Sequence, residues 1–280
     1  MGYCLLQQLK TQKFIISVVL ARHCNLKCRY CNAFCNFAKK QFYDFDQLKQ
    51  DILELKKNNI PISHFTFWGG EPLLHPNLTE ILDFTYHQFP NTYLAILTNG
   101  KDLLKMDDKF YQVVKDTKTN IMYSMYGNSN IDYKKSIEYV KSKGCQITNI
   151  RYENKRNQHE DLSMTKFLVH RFAKTPLDGR KNRQGCDCDG NAMWNGKLYL
   201  CHRVALIDTF IEKTGFQLPL ENSSIDVKGI TKQKLFNFLL KTPKVCDYCL
   251  GFDKSIVKDW TTEKGEIKDL ICEKYGDKNI

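Results

Sequence analysis

The sequence predicts an α/β fold: a parallel sheet built of β–α units that closes toward a part-barrel, with a small metal-stapled domain behind it. Three observations carry this. From Phe14 to about Tyr152, short runs of β-forming residues alternate with stretches of helical spacing. After Cys186 that alternation gives way to a hairpin pattern and paired cysteines. The chain's 12 cysteines also fall in tight groups, the signature of metal binding rather than of disulfides in a chain with no sign of export.

The β runs are FIISVVL (14–20), HFTFW (64–68), TYLAILT (92–98), NIMYSMY (120–126) and QITNIRY (146–152). Between the first two, residues 44–59 put Leu48, Ile52 and Leu55 on one face, with Asp44 and Gln47 spaced as a capping box. Pro76 stands where a first-turn proline is expected, ahead of Leu78, Ile81, Leu82 and Thr85. Residues 132–143 bring Ile137 and Val140 together, and Gly144 is a helix stop. Strand–helix alternation of this kind builds a parallel sheet. Residues 153–185 are polar and basic around one apolar island at Phe167, Leu168 and Val169, which reads as a sixth strand or a short helix within a linker. Then come AMWNGKLYLC with a hairpin turn at Asn195-Gly196, a long insertion, a helix near 231–241, and CDYC.

A chain of 280 residues with 42% hydrophobic residues has ample core for an ordinary globular protein. Its longest aliphatic run, Phe14 to Ala21, is far short of the roughly 20 residues a membrane span needs. With no signal-like start, the expectation is a cytoplasmic protein without membrane contact. The formal charge of +11 is mostly lysine spread along the chain. It fits a solvated surface, or attraction to an anionic small substrate such as a nucleotide-linked sugar. No arginine-rich block singles out nucleic acid, which is not the expected partner.

Cys24, Cys28 and Cys31 form C-x3-C-x2-C directly after the first β run. A structural zinc site normally takes four ligands, so zinc would need Cys35 or His23 as the fourth. Three thiolates on a four-iron cluster instead leave one iron open to a ligand. Cys35 is otherwise read as a thiol and not a ligand.

The array, with the aromatic Tyr30 before Cys31, resembles the hallmark of the radical S-adenosylmethionine (SAM) superfamily. WGGEPLLHP at the end of the second run matches its GGE motif, and LTNG (97–100) at the end of the third is also usual there. The resemblance implies a partial (β/α)6 TIM-type barrel, with the SAM-cleaving core over 1–155 and the end of the barrel or a linker over 156–185. It implies a [4Fe–4S] cluster on Cys24, Cys28 and Cys31, and SAM held by Tyr30, Gly69, Gly70, Glu71, Asn99 and Ser124. Tyr30 would flank the adenine and Glu71 would complement the amino group. Tyr126 and Asn149 are further candidates on later strand ends. A flavodoxin- or ferredoxin-type protein would supply the electron.

The second cysteine group, Cys186, Cys188, Cys201, Cys246 and Cys249, resembles the twitch version of the SPASM appendage, which implies a twitch-like domain over 186–280 with one auxiliary [4Fe–4S] cluster. Five cysteines compete for four places: the spacing from Gly196 favours Cys186 as the fourth ligand, and Cys188 fits if the loop shortens. The spare thiol is inert or donates a hydrogen atom to a substrate radical. A structural Cys4 zinc is the alternative metal. Cys4, Cys145 and Cys272 have no neighbours in sequence and read as buried or exposed thiols.

By this resemblance the enzyme cleaves SAM reductively and abstracts hydrogen from its substrate, dehydrogenating or epimerising a sugar-like small molecule. Arg151, with Tyr152 and Glu153, would bind that substrate or take its proton, and Cys188 is the candidate hydrogen donor. A peptide-modifying radical SAM maturase is the runner-up. A zinc-stabilised nucleic-acid-binding module is the alternative of another class, and it leaves GGEP unexplained.

Overall fold

The computed structural model describes residues 8, 10–126, 129–149, 166–169, 171–184, 186, 191–250 and 256–272. Five strands, β1 (Phe14–Ala21), β2 (Ile62–Gly69), β3 (Tyr93–Thr98), β4 (Asn120–Tyr123) and β5 (Ile147–Asn149), pair in parallel and in chain order. Helices α1 (Phe45–Lys57), α2 (Leu78–Gln88), α3 (Asp108–Asp116) and α4 (Tyr133–Ser142) form the crossovers. The predicted α/β class and its parallel sheet are therefore present. β1 is buried almost throughout, as a central parallel strand covered on both faces must be.

The helices follow their apolar spacing. α1 buries Leu48, Ile52 and Leu55, and α2 buries Leu78, Ile81, Leu82 and Thr85. Only half of the expected capping box forms: Asp44 accepts from the Gln47 N–H at 2.9 Å, while the Gln47 side chain turns to Asp51 at 3.0 Å. Pro76 stands before the N-cap, Asn77, rather than in the first turn. On α4 the buried positions are Tyr133, Ser136 and Val140, with Ile137 half-buried at the margin. Gly144 ends it with φ +74°, donating its N–H to the Lys141 carbonyl at 2.9 Å.

The apolar island forms strand β6 (Lys166–Val169), and β7 (Phe172–Ala173) follows. α5 (Gly179–Gln184) then leads to the second cysteine group. β8 (Ala192–Trp194) and β9 (Lys197–Tyr199) make the expected hairpin. Asn195 and Gly196, at φ +44° and +75°, supply the two left-handed residues its turn requires. The insertion holds α6 (His202–Ala205), α7 (Ile207–Thr214) and β10 (Ser224–Asp226), and the helix expected near 231–241 is α8 (Lys232–Leu239). β11 (Ile256–Asp259) pairs antiparallel with β6, and β12 (Ile271–Cys272) pairs parallel with β7. Among the described residues, β6 thus finds its partner outside the parallel sheet.

The hairpin joins the main sheet. β8 pairs in parallel with β1, so one sheet runs β10-β9-β8-β1-β2-β3-β4-β5. One buried cluster extends from Phe14 through Phe210 to Leu270 and serves both parts of the chain. The turn is pinned to α1 as well: the buried Asp51 carboxylate accepts from the Gly196 N–H at 3.0 Å and from the Tyr43 hydroxyl. Arg22, one residue past β1, donates to Asp208 at 2.6 Å through Nη1 and to Thr209 Oγ1 at 2.9 Å through Nη2. The loop that leaves β1 is thereby tied to the first turn of α7.

Candidate active site

Cys24, Cys28 and Cys31 lie in that loop, at the carboxyl end of β1. The ends of β2, β3 and β4 face it and close a cavity of about 210 Å³. All three cysteines line it, with Gly69, Gly70, Asn99 and Ser124, four of the six residues expected to meet SAM. Carboxyl ends of parallel strands are where this architecture places its reactive loops.

The glycine pair is explained by backbone packing. A Cβ on Gly70 would stand 1.9 Å from the His23 carbonyl oxygen, and one on Gly69 2.3 Å from that of Ala21. In their place, the Gly70 N–H donates to Ala21 O at 2.6 Å and the Glu71 N–H to His23 O at 3.0 Å. The end of β2 therefore lies directly against the root of the cysteine loop, a closeness only glycine allows.

Glu71 and Tyr30 stand away from this wall. Glu71 is fully buried, and its carboxylate accepts from the Leu73 N–H at 3.0 Å, the Thr98 hydroxyl at 2.6 Å and the Asn99 N–H at 2.9 Å. Burial pushes it up to about 7 against those three donors. Its carboxylate braces the end of β3 rather than lining the cavity. The Tyr30 ring lies under the Arg29 guanidinium, 5.5 Å from its centroid, and packs on the main core. Arg151, Tyr152, Glu153, Cys188 and Cys4 lie outside the described residues.

Asn99 carries the bracing onward. Its Nδ2 donates to Cys24 Sγ at 3.4 Å and to Asn25 Oδ1 at 2.8 Å, and the Leu26 N–H reaches the same sulfur at 3.3 Å. Burial, with the Glu71 charge nearby, pushes the Cys24 thiol up to about 12; burial and the neighbouring Cys31 do the same to Cys28. Cys31 is lowered instead, because the Cys35 thiol donates to it and backbone N–H groups of Ala33, Phe34 and Cys35 converge on it. Cys35, buried beside it, is held protonated. Crowded, desolvated thiols of this kind ionise when a metal's charge replaces their protons.

The donor set fits an iron–sulfur cluster with SAM. The three thiols are spread around the cavity, and among the described residues no three Cys, His, Asp or Glu side chains converge on one point as a single ion requires. A four-iron cube takes its cysteines on separate corners. Two buried polar atoms of residues on the cavity wall, Asn32 Oδ1 and Trp68 Nε1, have no hydrogen-bond partner among the described residues. Each costs about 1–3 kcal/mol until a polar ligand satisfies it. Trp68 immediately precedes the glycine pair and Asn32 immediately follows Cys31, so both reach the cavity through the motifs they adjoin.

The second cysteine group also assembles. Cys186, Cys201, Cys246 and Cys249 line one pocket together with Arg183 and Arg203. Burial and then Cys201 raise the Cys246 thiol, with Arg183 opposing. The buried Arg203 guanidinium lies 4.1 Å from the Phe172 ring centroid and donates to Cys249 Sγ at 3.8 Å. The ring of Phe34, three residues past Cys31, has its centroid 5.7 Å from the same guanidinium. The loop of the first cysteines thus packs directly on the pocket of the second. Of the remaining thiols, Cys145 is buried and donates to the Tyr111 carbonyl at 3.4 Å, and Cys272 is buried on β12.

Comparison with known proteins bears on the first half of the chain. The S-adenosylmethionine-dependent nucleotide dehydratase of Selenomonas ruminantium is 32% identical over 89 residues, 32% of this chain and 31% of that protein. A GTP 3′,8-cyclase of Microcystis aeruginosa is 34% identical over 104 residues, 35% of this chain and 30% of its own length. The chain thus spans about a third of the length of these relatives. Among solved structures, BtrN in complex with AdoMet and 2-DOIA has a TM-score of 0.40 and 19% identity, covering 49% of this chain and 56% of that one. The sequence profile of the Radical SAM superfamily matches residues 18–156, the stretch that carries the second half of β1, all of β2 to β5, the three cysteines and the glycine pair. Residues 18–156 form a domain of the radical SAM superfamily, an enzyme family that works with a [4Fe–4S] cluster and SAM.

Proposed function

We propose that the chain couples SAM cleavage at Cys24, Cys28 and Cys31 to oxidation of a sugar-like small molecule, with an auxiliary [4Fe–4S] cluster on Cys186, Cys201, Cys246 and Cys249 as the electron acceptor. When bound, cluster and SAM supply the one-electron cleavage to methionine and a 5′-deoxyadenosyl radical, which removes a hydrogen atom from substrate. The substrate radical then loses a hydroxyl proton and one electron, leaving a carbonyl. Gly69 and Gly70 leave the cavity's backbone open to the methionyl end of SAM, while Asn99 holds the Cys24 ligand in place. Arg151, just past β5, is the proposed substrate-binding or proton-accepting residue.

The observation that carries this reading is the set of four thiols around one pocket beside the buried Arg203 guanidinium. Four protein ligands leave such a cluster no open iron, which suits it to holding an electron rather than binding substrate. A buried positive charge favours the extra electron. The net charge of +11 and two relatives named for nucleotide chemistry support an anionic, nucleotide-linked substrate. A flavodoxin- or ferredoxin-type protein is the proposed reductant. Epimerisation, with Cys188 returning a hydrogen atom, is the variant of the same chemistry.

The test is anaerobic incubation of reconstituted protein with SAM, dithionite and a panel of nucleoside diphosphate sugars. The expected result is 5′-deoxyadenosine together with a product lighter by two hydrogens. An epimer carrying solvent deuterium would select the variant. A Cys201→Ala chain is expected to cleave SAM without making the carbonyl, and undiminished carbonyl formation by that chain would overturn the role of the second cysteine group.

A further inference from the structure

The residues that enclose the first cysteine loop do not all belong to the superfamily domain. Residues 260–269, far beyond position 156, clasp it from outside. The Arg29 N–H donates to the Thr261 carbonyl at 3.1 Å, and Arg29 Nε pairs with Asp269 at 3.1 Å. Asn36 Nδ2 reaches the Lys264 carbonyl at 3.4 Å and also the Cys28 carbonyl. Gly265, at φ +62°, lies so close that a Cβ there would stand 2.4 Å from Arg29 Cγ.

This clasp delivers one large side chain to the cluster loop. Trp260 is 2% exposed and forms a separate buried cluster with Leu26 and Cys28, against which Cys24, Cys31 and Tyr126 pack. Its ring stacks on Tyr126 at 4.9 Å and 17°, and Tyr126 lines the cavity. A buried indole normally finds an acceptor for its N–H. Among the described residues, the Trp260 Nε1 has no partner of full hydrogen-bond geometry. A polar group within its influence is the Cys28 sulfur. An apolar ring alone would satisfy the packing, so the buried N–H needs an acceptor, and the described residues offer it only the Cys28 sulfur, short of full geometry. A cluster-bound thiolate is such an acceptor, more basic toward a donor than the protonated thiol.

We propose that Trp260 donates its indole N–H to the Cys28 ligand of the SAM-cleaving cluster and thereby raises that cluster's reduction potential. Hydrogen bonds to cluster sulfurs favour the reduced, more negatively charged state and are one of the protein's levers on potential. Trp260 acts through the cluster ligand, so it is a positioning and tuning residue and touches no substrate. The inference rests on Cys28 being a ligand, which loss of iron from a Cys28→Ala chain reports separately.

The test is Trp260→Phe, which keeps the ring on Tyr126 and removes only the N–H. In anaerobically reconstituted protein, an EPR-monitored titration of the SAM-cleaving cluster is expected to give a midpoint more negative than wild type at equal iron content. An unchanged midpoint at equal iron content overturns the proposal. If Trp260→Phe loads less iron, a Trp68→Phe chain that retains Trp260 decides the matter. Ultraviolet resonance Raman before and after cluster assembly reads the indole N–H band there. A shift on assembly supports the hydrogen bond, and an unshifted band overturns it.

Discussion

Gly70→Ala tests whether backbone packing requires the glycine pair. The new Cβ would stand 1.9 Å from His23 O, 2.3 Å from His23 C and 3.0 Å from Cys24 N. All three are backbone atoms, so no side chain can swing aside. Recovering an ordinary contact of about 3.4 Å requires the strand end and the cysteine loop to part by about 1.5 Å, and Cys24 moves with the loop. A misplacement of about 1 Å in a catalytic array costs on the order of 100-fold in rate. The assay is 5′-deoxyadenosine formation from SAM under dithionite, which needs no knowledge of the substrate, normalised to bound iron. Gly215→Ala is the control: a Cβ there meets nothing within 4 Å, and its φ of +68° adds a backbone strain that Gly70 does not carry, so any loss from strain alone shows in the control. The expected result is a fall of about 100-fold or more for Gly70→Ala and little change for the control. A Gly70→Ala chain with wild-type cleavage would refute the packing argument.

Other outcomes follow from the same structure. Reconstituted wild type is expected to bind about eight irons and Cys186→Ala about four; full iron in that variant would transfer the fourth ligand to Cys188. Asp208→Ala leaves the buried Arg22 without its carboxylate and is expected to destabilise by about 2 kcal/mol. That lies between surface and buried ion pairs because Asp208 itself is largely exposed, and urea unfolding measures it. His75 is held neutral by burial, with its Nε2 on the Tyr43 carbonyl at 2.9 Å and its Nδ1 accepting from the Asn77 N–H at 3.1 Å. Its folded-state pKa lies below 6.5, so its contribution is full above that pH and is lost as the unfolded chain takes up the proton on acidification. His75→Gln is expected to flatten the decline in urea midpoint between about pH 7 and 5, and an unchanged slope would contradict the assignment.

The cysteines and glycines of the first site were legible because each motif is a few residues long and sits at the end of a recognisable β run. The buried faces of α1 and α2 were legible for a similar local reason, since a period of 3.6 residues reports burial directly. Other features depend on contacts that no short window encodes. Nothing around Ala192 signals that it pairs with Ser17, nor around Trp260 that it reaches Cys28. Glu71 reads as a ligand group because a carboxylate beside two glycines suggests a bound ammonium. Only the fold reveals the Thr98 hydroxyl and the Asn99 N–H already bound to it. Tyr30 had the right neighbours in sequence, and the fold adds the Arg29 guanidinium 5.5 Å from its ring centroid. The convergence of Cys186 with Cys201, Cys246 and Cys249 was expected from spacing, whereas Arg203 among them was not.

The pairing of β8 with β1 bears on how this protein can be dissected. β1 is the most apolar strand of the sheet, and in a chain cut before Asn191 its outer edge would present unpaired N–H and C=O groups flanked by Val18 and Val19. Such an edge is a template for pairing with another molecule. Among the described residues the sheet instead terminates on that side at β10, three residues long with Asp226 at its end and Lys228 close behind. A fragment trimmed to the superfamily domain would therefore be expected to self-associate through β1, and residues 191–226 are the segment to retain when designing a soluble one.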